Sequence, residues 1–447
     1  MKPNVLFIVL DSLRPDKIFG KQKNANSPTL DNLMENGIYF KNAMTTNHYT
    51  AQVMQTIFTS RFPVGSKSGE KLYTKINSEN NSMLSILKDN GYNVFATVQE
   101  DVFLHGLSEK FDNNDVPFKS EENLYNGLAE RIFKKIDSIS DPWFYYIHLE
   151  DLHTPCVVPK DLEHLKFSER YDQNITKIDS FLNSLLMKIN LDETLIIITS
   201  DHGEYISPLK GALSESPTTK TKIKNSLKKL LPKDELTKIH YQKQKIMGKI
   251  YAAKTSTPHE KRILSGKRHG RMSDLFDDII RIPLLFVGCG INHVSPITEQ
   301  VCNIDIFPTI IEKIGLTITD RNYDGRSLVP LMNGNKLEEI PIYLTSSPII
   351  QGLFLNVTLE NMIFLKGIRT PNFKYFRNAE DPKKNVHLYD LKNDPFEDEN
   401  ICDKRLDVVN EMESIISKIQ KDSQLLLSEE KDLDIEEIKK VQDSLKK

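Results

Sequence analysis

An α/β fold, with a mainly parallel sheet flanked by helices and a small antiparallel sheet after it, is the class this sequence predicts. Short β-branched apolar runs alternate with longer helical patterns through the first two-thirds of the chain. Runs such as Thr194-Leu195-Ile196-Ile197-Ile198-Thr199 are apolar throughout their centre, the pattern of a strand buried on both faces. From about residue 335 the pattern changes to short strand-like pieces separated by turn residues.

Strands are predicted over 4–10, 93–98, 143–149, 194–199 and 283–287. The 447 residues exceed what one small core organises, so a large first domain over 1–334 and a small β subdomain over 335–402 are expected. Ile342–Leu344, Met362–Leu365 and Lys374–Phe376 are the strand pieces of the second. A charged helical tail over 403–447 sets Leu406, Val409, Met412, Ile415, Ile416 and Ile419 roughly on one face, to pack against the body or another subunit. Residues 206–266 read as an insertion, helical around 223–231 and 236–251, with 14 Lys or Arg against four acids. It is either a lid whose field attracts a phosphate-bearing or polyanionic substrate, or a solvated helical hairpin.

The chain is 39% apolar and 27% charged, an ordinary globular composition. A formal net charge of -3 gives no global basic field, so nucleic acid is not indicated as a partner. Cys156, Cys289, Cys302 and Cys402 show no C-x-x-C spacing and are expected to be reduced. Asn4–Leu10 is too short to cross a bilayer, and no later stretch reaches the roughly 18 apolar residues required. With residue 1 taken as the start, a cytoplasmic enzyme without a transmembrane segment is expected.

Asp11 follows the first apolar run, and Asp201-His202 follows another. In open α/β sheets the ligand crevice lies at the carboxyl ends of the strands. Singly, each group could cap a helix; together they offer O, O and N ligands to a divalent ion. One ion is expected, with Mn or Zn favoured and Ca or Mg as alternatives.

Several collinear motifs resemble those of the sulfatase family in the alkaline phosphatase superfamily. They are Asn4 to Asp11 with Leu13-Arg14-Pro15-Asp16, Ser27 to Leu33, Gly37 to Ala43, Thr59-Ser60-Arg61-Phe62-Pro63 and Gly91-Tyr92. Further along come Asp151 to Pro155, Ser200 to Glu204, His269-Gly270, Arg281-Ile282-Pro283, Asp305 to Thr309, Asp324 to Leu328 and Leu388 to Pro395. The resemblance runs from residue 4 to about 401. It implies an α/β/α sandwich around a mixed sheet, a sulfatase-like catalytic domain over 1–334 and a small antiparallel C-terminal subdomain.

The family's nucleophile lies nine residues before the Thr59 position, which implies Thr50. Sulfatases proper carry C/S-x-P-S-R there, oxidised to formylglycine; this chain reads Thr50-Ala51-Gln52-Val53-Met54. Threonine cannot give that aldehyde, and Gln99 and Asp101 stand where a K-x-H pair is expected. The chain is therefore similar to the threonine-nucleophile subgroup, which includes phosphodiesterases and phosphonate hydrolases. The resemblance implies Asp11, Thr50, Asp201 and His202 as metal ligands, and Thr50, His153 and His269 as catalytic groups. Lys267 and Gln99 are the implied substrate contacts. A metal-dependent hydrolase of phosphate-type esters is expected, acting on a small-molecule or polyanionic substrate. The alternatives are a sulfuric ester hydrolase, a phospho-group transferase and a non-catalytic binding protein on the same fold.

Overall fold

The computed structural model describes residues 2–64, 82–100, 111–113, 115–119, 122–154, 156–206, 257–265, 275–318, 323–346 and 364–426. The strands of the larger sheet are β1 (Asn4–Leu10), β2 (Ile38–Met44), β3 (Asn93–Gln99), β4 (Pro117–Phe118), β5 (Trp143–Leu149), β6 (Thr194–Thr199), β7 (Arg281–Gly288) and β8 (Ile297–Cys302). The helices that matter to the argument are α1 (Pro28–Asn36), α2 (Thr50–Thr59), α3 (Met83–Asp89), α4 (Leu128–Ile136), α5 (Phe167–Leu186), α6 (Pro258–Ser265), α7 (Asp277–Ile280), α8 (Ile306–Lys313) and α9 (Leu406–Leu426).

The sheet runs β4-β3-β5-β1-β6-β7-β2-β8. From β4 to β6 the pairs are parallel, whereas β7 runs antiparallel to both β6 and β2. β1 shows why the sheet is covered on both sides: its side chains alternate between two cores. Val5, Phe7 and Val9 join residues of α2, α3 and α8 on one face. Leu6, Ile8 and Leu10 join residues of α1, α4 and α5 on the other. The result is a three-layer α/β/α sandwich around a mixed sheet.

The smaller sheet contains β9 (Ile342–Ser346), β10 (Leu365–Arg369), β11 (Phe373–Asn378) and β12 (His387–Asp390), antiparallel in the order β12-β11-β10-β9. One face packs through Leu344, Leu365 and Phe376 onto Met44, Phe276 and Ile304 of the larger unit. The other receives α9 through Val408, Met412 and Ile416. α9 thus packs on the body of its own chain. Leu406, expected on the apolar face, is instead 63% exposed, because the helix begins there, ahead of its contact with the sheet; Val408 is buried in its stead.

Strands predicted over 4–10, 143–149 and 194–199 have the observed bounds, and those predicted over 93–98 and 283–287 extend to 93–99 and 281–288. β2, β4, β8 and β12 are additional. The predicted insertion helices over 223–231 and 236–251 lie outside the described residues. Among the described residues no helix is long and apolar enough to cross a membrane.

Ion pairs join the two sheets. Lys374 on β11 is fully buried and contacts Asp277 of α7 and Glu397 (2.7 Å), while Arg369 on β10 reaches Asp277 at 2.8 Å. Burial opposes the charge on Asp277, but Arg369 and Lys374 outweigh it and hold that carboxyl far below the usual range. A depressed folded-state pKa contributes stability above the unfolded value, near 3.9, that is lost as pH falls toward the folded one. Asp277→Asn should therefore lower unfolding free energy by about 3 kcal/mol at pH 7, because it leaves buried cations short of charge. Urea unfolding at pH 7 and pH 3 should show the deficit shrinking on the acid side.

Candidate active site

The centre lies at the carboxyl edge of β5, β1 and β6. β1 ends at Leu10 and delivers Asp11; β6 ends at Thr199 and leads through Ser200 to Asp201 and His202. Because β1 pairs in parallel with β6, the residues that follow the two strands meet.

Backbone and side chains lock the two turns together. Ser12 N donates to Asp201 Oδ1 (3.1 Å), Leu13 N donates to Ser200 Oγ (2.9 Å), and that hydroxyl donates to His202 O (2.7 Å). Ser12 has φ 63°, a left-handed conformation that a non-glycine residue adopts under strain. Its own hydroxyl bond to Asp11 Oδ1 (2.7 Å) offsets that strain, as does the Tyr171 hydroxyl of α5, which donates to Ser12 O (2.7 Å). Gly203 donates to Ile279 O (2.6 Å), and a Cβ at 203 would stand 2.1 Å from Asp278 O, so no side chain fits there.

Thr50 opens α2. The loop before it is fixed by Asn47, which donates to Gln52 Oε1 (2.5 Å) and Thr345 Oγ1 (2.9 Å) and accepts from Tyr49 N (3.0 Å). α2 itself is tied down where Asn303 donates to the Thr56 hydroxyl (2.9 Å). These bonds set the Thr50 hydroxyl 2.6 Å from Asp201 Oδ2 and 3.4 Å from both Asp11 Oδ2 and His202 Nε2. The four side chains that the sequence suggested as ligands therefore converge on one point.

His202 Nδ1 lies 3.0 Å from Gly203 O. A carbonyl only accepts, so the proton sits on Nδ1, and Nε2 presents its lone pair toward Thr50 and Asp201. Asp11 and Asp201 are nearly inaccessible, and among the described residues neither has a Lys or Arg partner. Burial would raise Asp11, but His153, His148 and His202 around it, with the His148 hydrogen bond, hold it well below the usual range. Burial and repulsion from Asp11 push Asp201 up to about 6. Two facing buried carboxylates, a hydroxyl and an imidazole lone pair fit a divalent cation, whose charge would relieve that repulsion.

His148, next to the carboxyl end of β5, was not anticipated from the sequence. Its ligand atom lies within 4.8 Å of those of Asp11 and Asp201, and among the described residues these three form the one such grouping. The signal available was a lone imidazole in the otherwise apolar run Trp143-Phe144-Tyr145-Tyr146-Ile147-His148-Leu149.

His153, in the loop after β5, is near enough for its charge to act on Asp11. Gln99 ends β3, and its Oε1 is buried without a hydrogen-bond partner among the described residues. Met54, one helical turn beyond Thr50, is fully buried in the apolar core. Asp151 turns away from the centre and accepts from Leu124 N (2.9 Å). Lys267 and His269 lie outside the described residues.

The sulfatase family model matches residues 3–316, and a model described as the N-sulphoglucosamine sulphohydrolase C-terminal region matches 270–423. Arylsulfatase K of Gallus gallus is 23% identical over 185 residues, 39% of this chain and 34% of that protein. Choline-sulfatase of Rhizobium meliloti is 28% identical over 135 residues, 29% of this chain and 23% of that protein. These matches span about a third or less of the curated relatives' lengths. Among solved structures, the phosphonate monoester hydrolase of Agrobacterium radiobacter superposes with a TM-score of 0.61 at 15% identity, covering 94% of this chain and 96% of that one. That likeness is one of fold.

Proposed function

The chain belongs to the sulfatase family, and from that premise we propose that it hydrolyses phosphate-type esters, whether monoester, diester or phosphonate, with Thr50 as the nucleophile. Asp11, Thr50, Asp201 and His202 would hold one divalent ion, with Mn or Zn the best suited to a mixed oxygen and nitrogen set. The reading rests chiefly on the Thr50 hydroxyl, 2.6 Å from Asp201 Oδ2 and 3.4 Å from Asp11 Oδ2.

A bound divalent ion supplies a lowered pKa for the coordinated hydroxyl and neutralises charge on the non-bridging oxygens. The chain's own residues do the rest. Thr50 Oγ, its proton already lost to solvent under that lowered pKa, bonds to phosphorus as the bond to the leaving oxygen breaks, and the departing alcoholate takes a proton from His153 or His269. Water then attacks phosphorus, giving a proton back to the same histidine as the bond to Thr50 Oγ breaks, so that phosphate leaves and the threonine oxygen is freed. The rigid Asn47 loop and α2 hold the oxygen in place, so little reorganisation is required.

Phosphorus is favoured over sulfur by position 50 itself, since a threonine side chain gives no aldehyde on oxidation. Met54 adds to this, because a core methionine offers no cation to support a formylglycine hydrate. The second reading, sulfate ester hydrolysis, is favoured by the names of the curated relatives, arylsulfatase K and choline-sulfatase. Parallel kinetics with Mn or Zn on nitrophenyl phosphate, bis-nitrophenyl phosphate, nitrophenyl phenylphosphonate and nitrophenyl sulfate separate the two. At least one phosphorus ester should exceed the sulfate in kcat/KM by about 100-fold. A sulfate ester as best substrate would transfer the assignment to the second reading.

A further inference from the structure

Tyr146 and His148 lie two residues apart on β5 and share a face of the strand. The Tyr146 hydroxyl is 2.6 Å from His148 Nδ1, and His148 Nε2 is 3.4 Å from Asp11 Oδ2; both side chains are fully buried. The tyrosine ring is wedged against Phe7 and Phe58 at centroid distances of 5.6 and 5.4 Å, so it cannot swing its hydroxyl elsewhere. By position alone His148 could be a further metal ligand.

Counting donors and acceptors decides otherwise. Among the described residues the Tyr146 hydroxyl has His148 Nδ1 as its sole hydrogen-bond partner. If Nδ1 carried a proton, the hydroxyl would accept it, and its own proton would be orphaned in an apolar core. If the hydroxyl donates, Nδ1 accepts, the imidazole proton sits on Nε2, and that N–H faces the carboxylate of Asp11. Both Tyr146 and Asp11 are then satisfied. His202 shows the opposite arrangement, its Nδ1–H spent on Gly203 O and its Nε2 lone pair turned toward the centre.

We infer that Tyr146 fixes the tautomer of His148, making it a hydrogen-bond donor that positions Asp11 and keeping it out of the metal's coordination shell. His148 and Tyr146 are positioning residues. This deepens the metal-centre reading above and rests on it for the role of Asp11, but the tautomer is a property of the ion-free chain and can be read without any metal. The two histidines thereby divide the work: His202 ligates, and His148 orients a ligand.

The test uses the full chain labelled with 15N-histidine, observed by long-range proton–nitrogen correlation without ion and with Zn. His148 is identified by the signals missing from His148→Gln. The expected pattern is a protonated Nε2 and a bare Nδ1, unchanged by Zn, with Tyr146→Phe redistributing the proton between the nitrogens. A protonated Nδ1 in the wild type, or loss of the Nε2 proton as Zn is added, overturns the inference. Metal titration supplies the second readout. His148→Ala should weaken Zn binding by about 10- to 100-fold, and His148→Gln, whose amide N–H can replace Nε2–H, should recover most of that loss. A ligating His148 would leave both variants equally defective. Should the wild type take up no Zn, the metal reading fails, while the ion-free spectrum still decides the tautomer.

Discussion

Thr50→Ala should lose about four orders of magnitude or more in kcat toward the best ester, equivalent to roughly 5 kcal/mol of transition-state stabilisation. The variant deletes one oxygen at the start of α2 and leaves the elements that position it intact: Asn47 keeps its bonds to Gln52 and Thr345, and Thr56 keeps its bond to Asn303. Unfolding midpoint and far-UV spectrum should match the wild type. Thr50→Ser restores a hydroxyl on the same carbon but frees its rotation, so about a tenfold loss is expected in place of the larger one. Steady-state kinetics on the three proteins, with unfolding curves alongside, give the result. An alanine variant with wild-type turnover would place the nucleophile elsewhere.

Asp201→Asn should abolish stoichiometric metal uptake while leaving the ion-free fold as stable as before, or more so. The Asn carbonyl oxygen can still accept from Ser12 N and His202 N, which now bond Asp201 Oδ1 at 3.1 and 2.8 Å. What disappears is the second of two facing charges. Burial and Asp11 raise Asp201 to about 6, so ionising it in the ion-free protein opposes folding, a penalty that grows as pH rises from the unfolded value, near 3.9, and is complete above the folded one. Removing it should stabilise the ion-free variant by up to about 3 kcal/mol at pH 7.5. The wild type should overtake it when metal is added, through the linkage of binding to folding. Thermal unfolding of both proteins with chelator and with excess Mn shows whether the order reverses; a metal-induced gain in the variant equal to that of the wild type would contradict the ligand role of Asp201.

Most of the frame was legible because its central strands are buried on both faces. β1, β5 and β6 carry continuous apolar runs, and a strand with helices on either side needs little else to declare itself. β2 was harder to see: Lys41 and Asn42 interrupt its apolar pattern where the pairing with β7 shifts register between Phe40 and Ala43. β8 reads as polar because Thr298, Glu299 and Gln300 lie on an edge strand. At the centre, Asp11, Asp201 and His202 stood out as charged residues directly after apolar runs. Thr50 was found through spacing relative to a family pattern, since a lone threonine at a helix start carries no signal of its own. His148 escaped because an imidazole inside a strand looks like core, and the hydrogen bonds that give it a role come from Tyr146 on the same strand and Asp11 on the next.

The catalytic centre also draws on contacts distant in sequence. Gly203 fits only because α7 passes beside it, and α7 is tied to the small sheet through Asp277 and on its other side to Arg14 through Asp278 (2.7 Å). The loop that carries Asp201 and His202 is thus braced from the first strand's turn and from the C-terminal sheet together.

The central claim is that the Thr50 oxygen attacks the substrate. It is tested most directly by quenching the wild-type enzyme in acid during turnover of its best phosphorus ester and sequencing the peptide that contains residue 50 by mass spectrometry. The expected result is a phosphoryl group on Thr50 that vanishes when substrate is exhausted. A phosphoryl group on another side chain under the same conditions, or phosphorylation of this peptide that persists unchanged in Thr50→Ala, would contradict it.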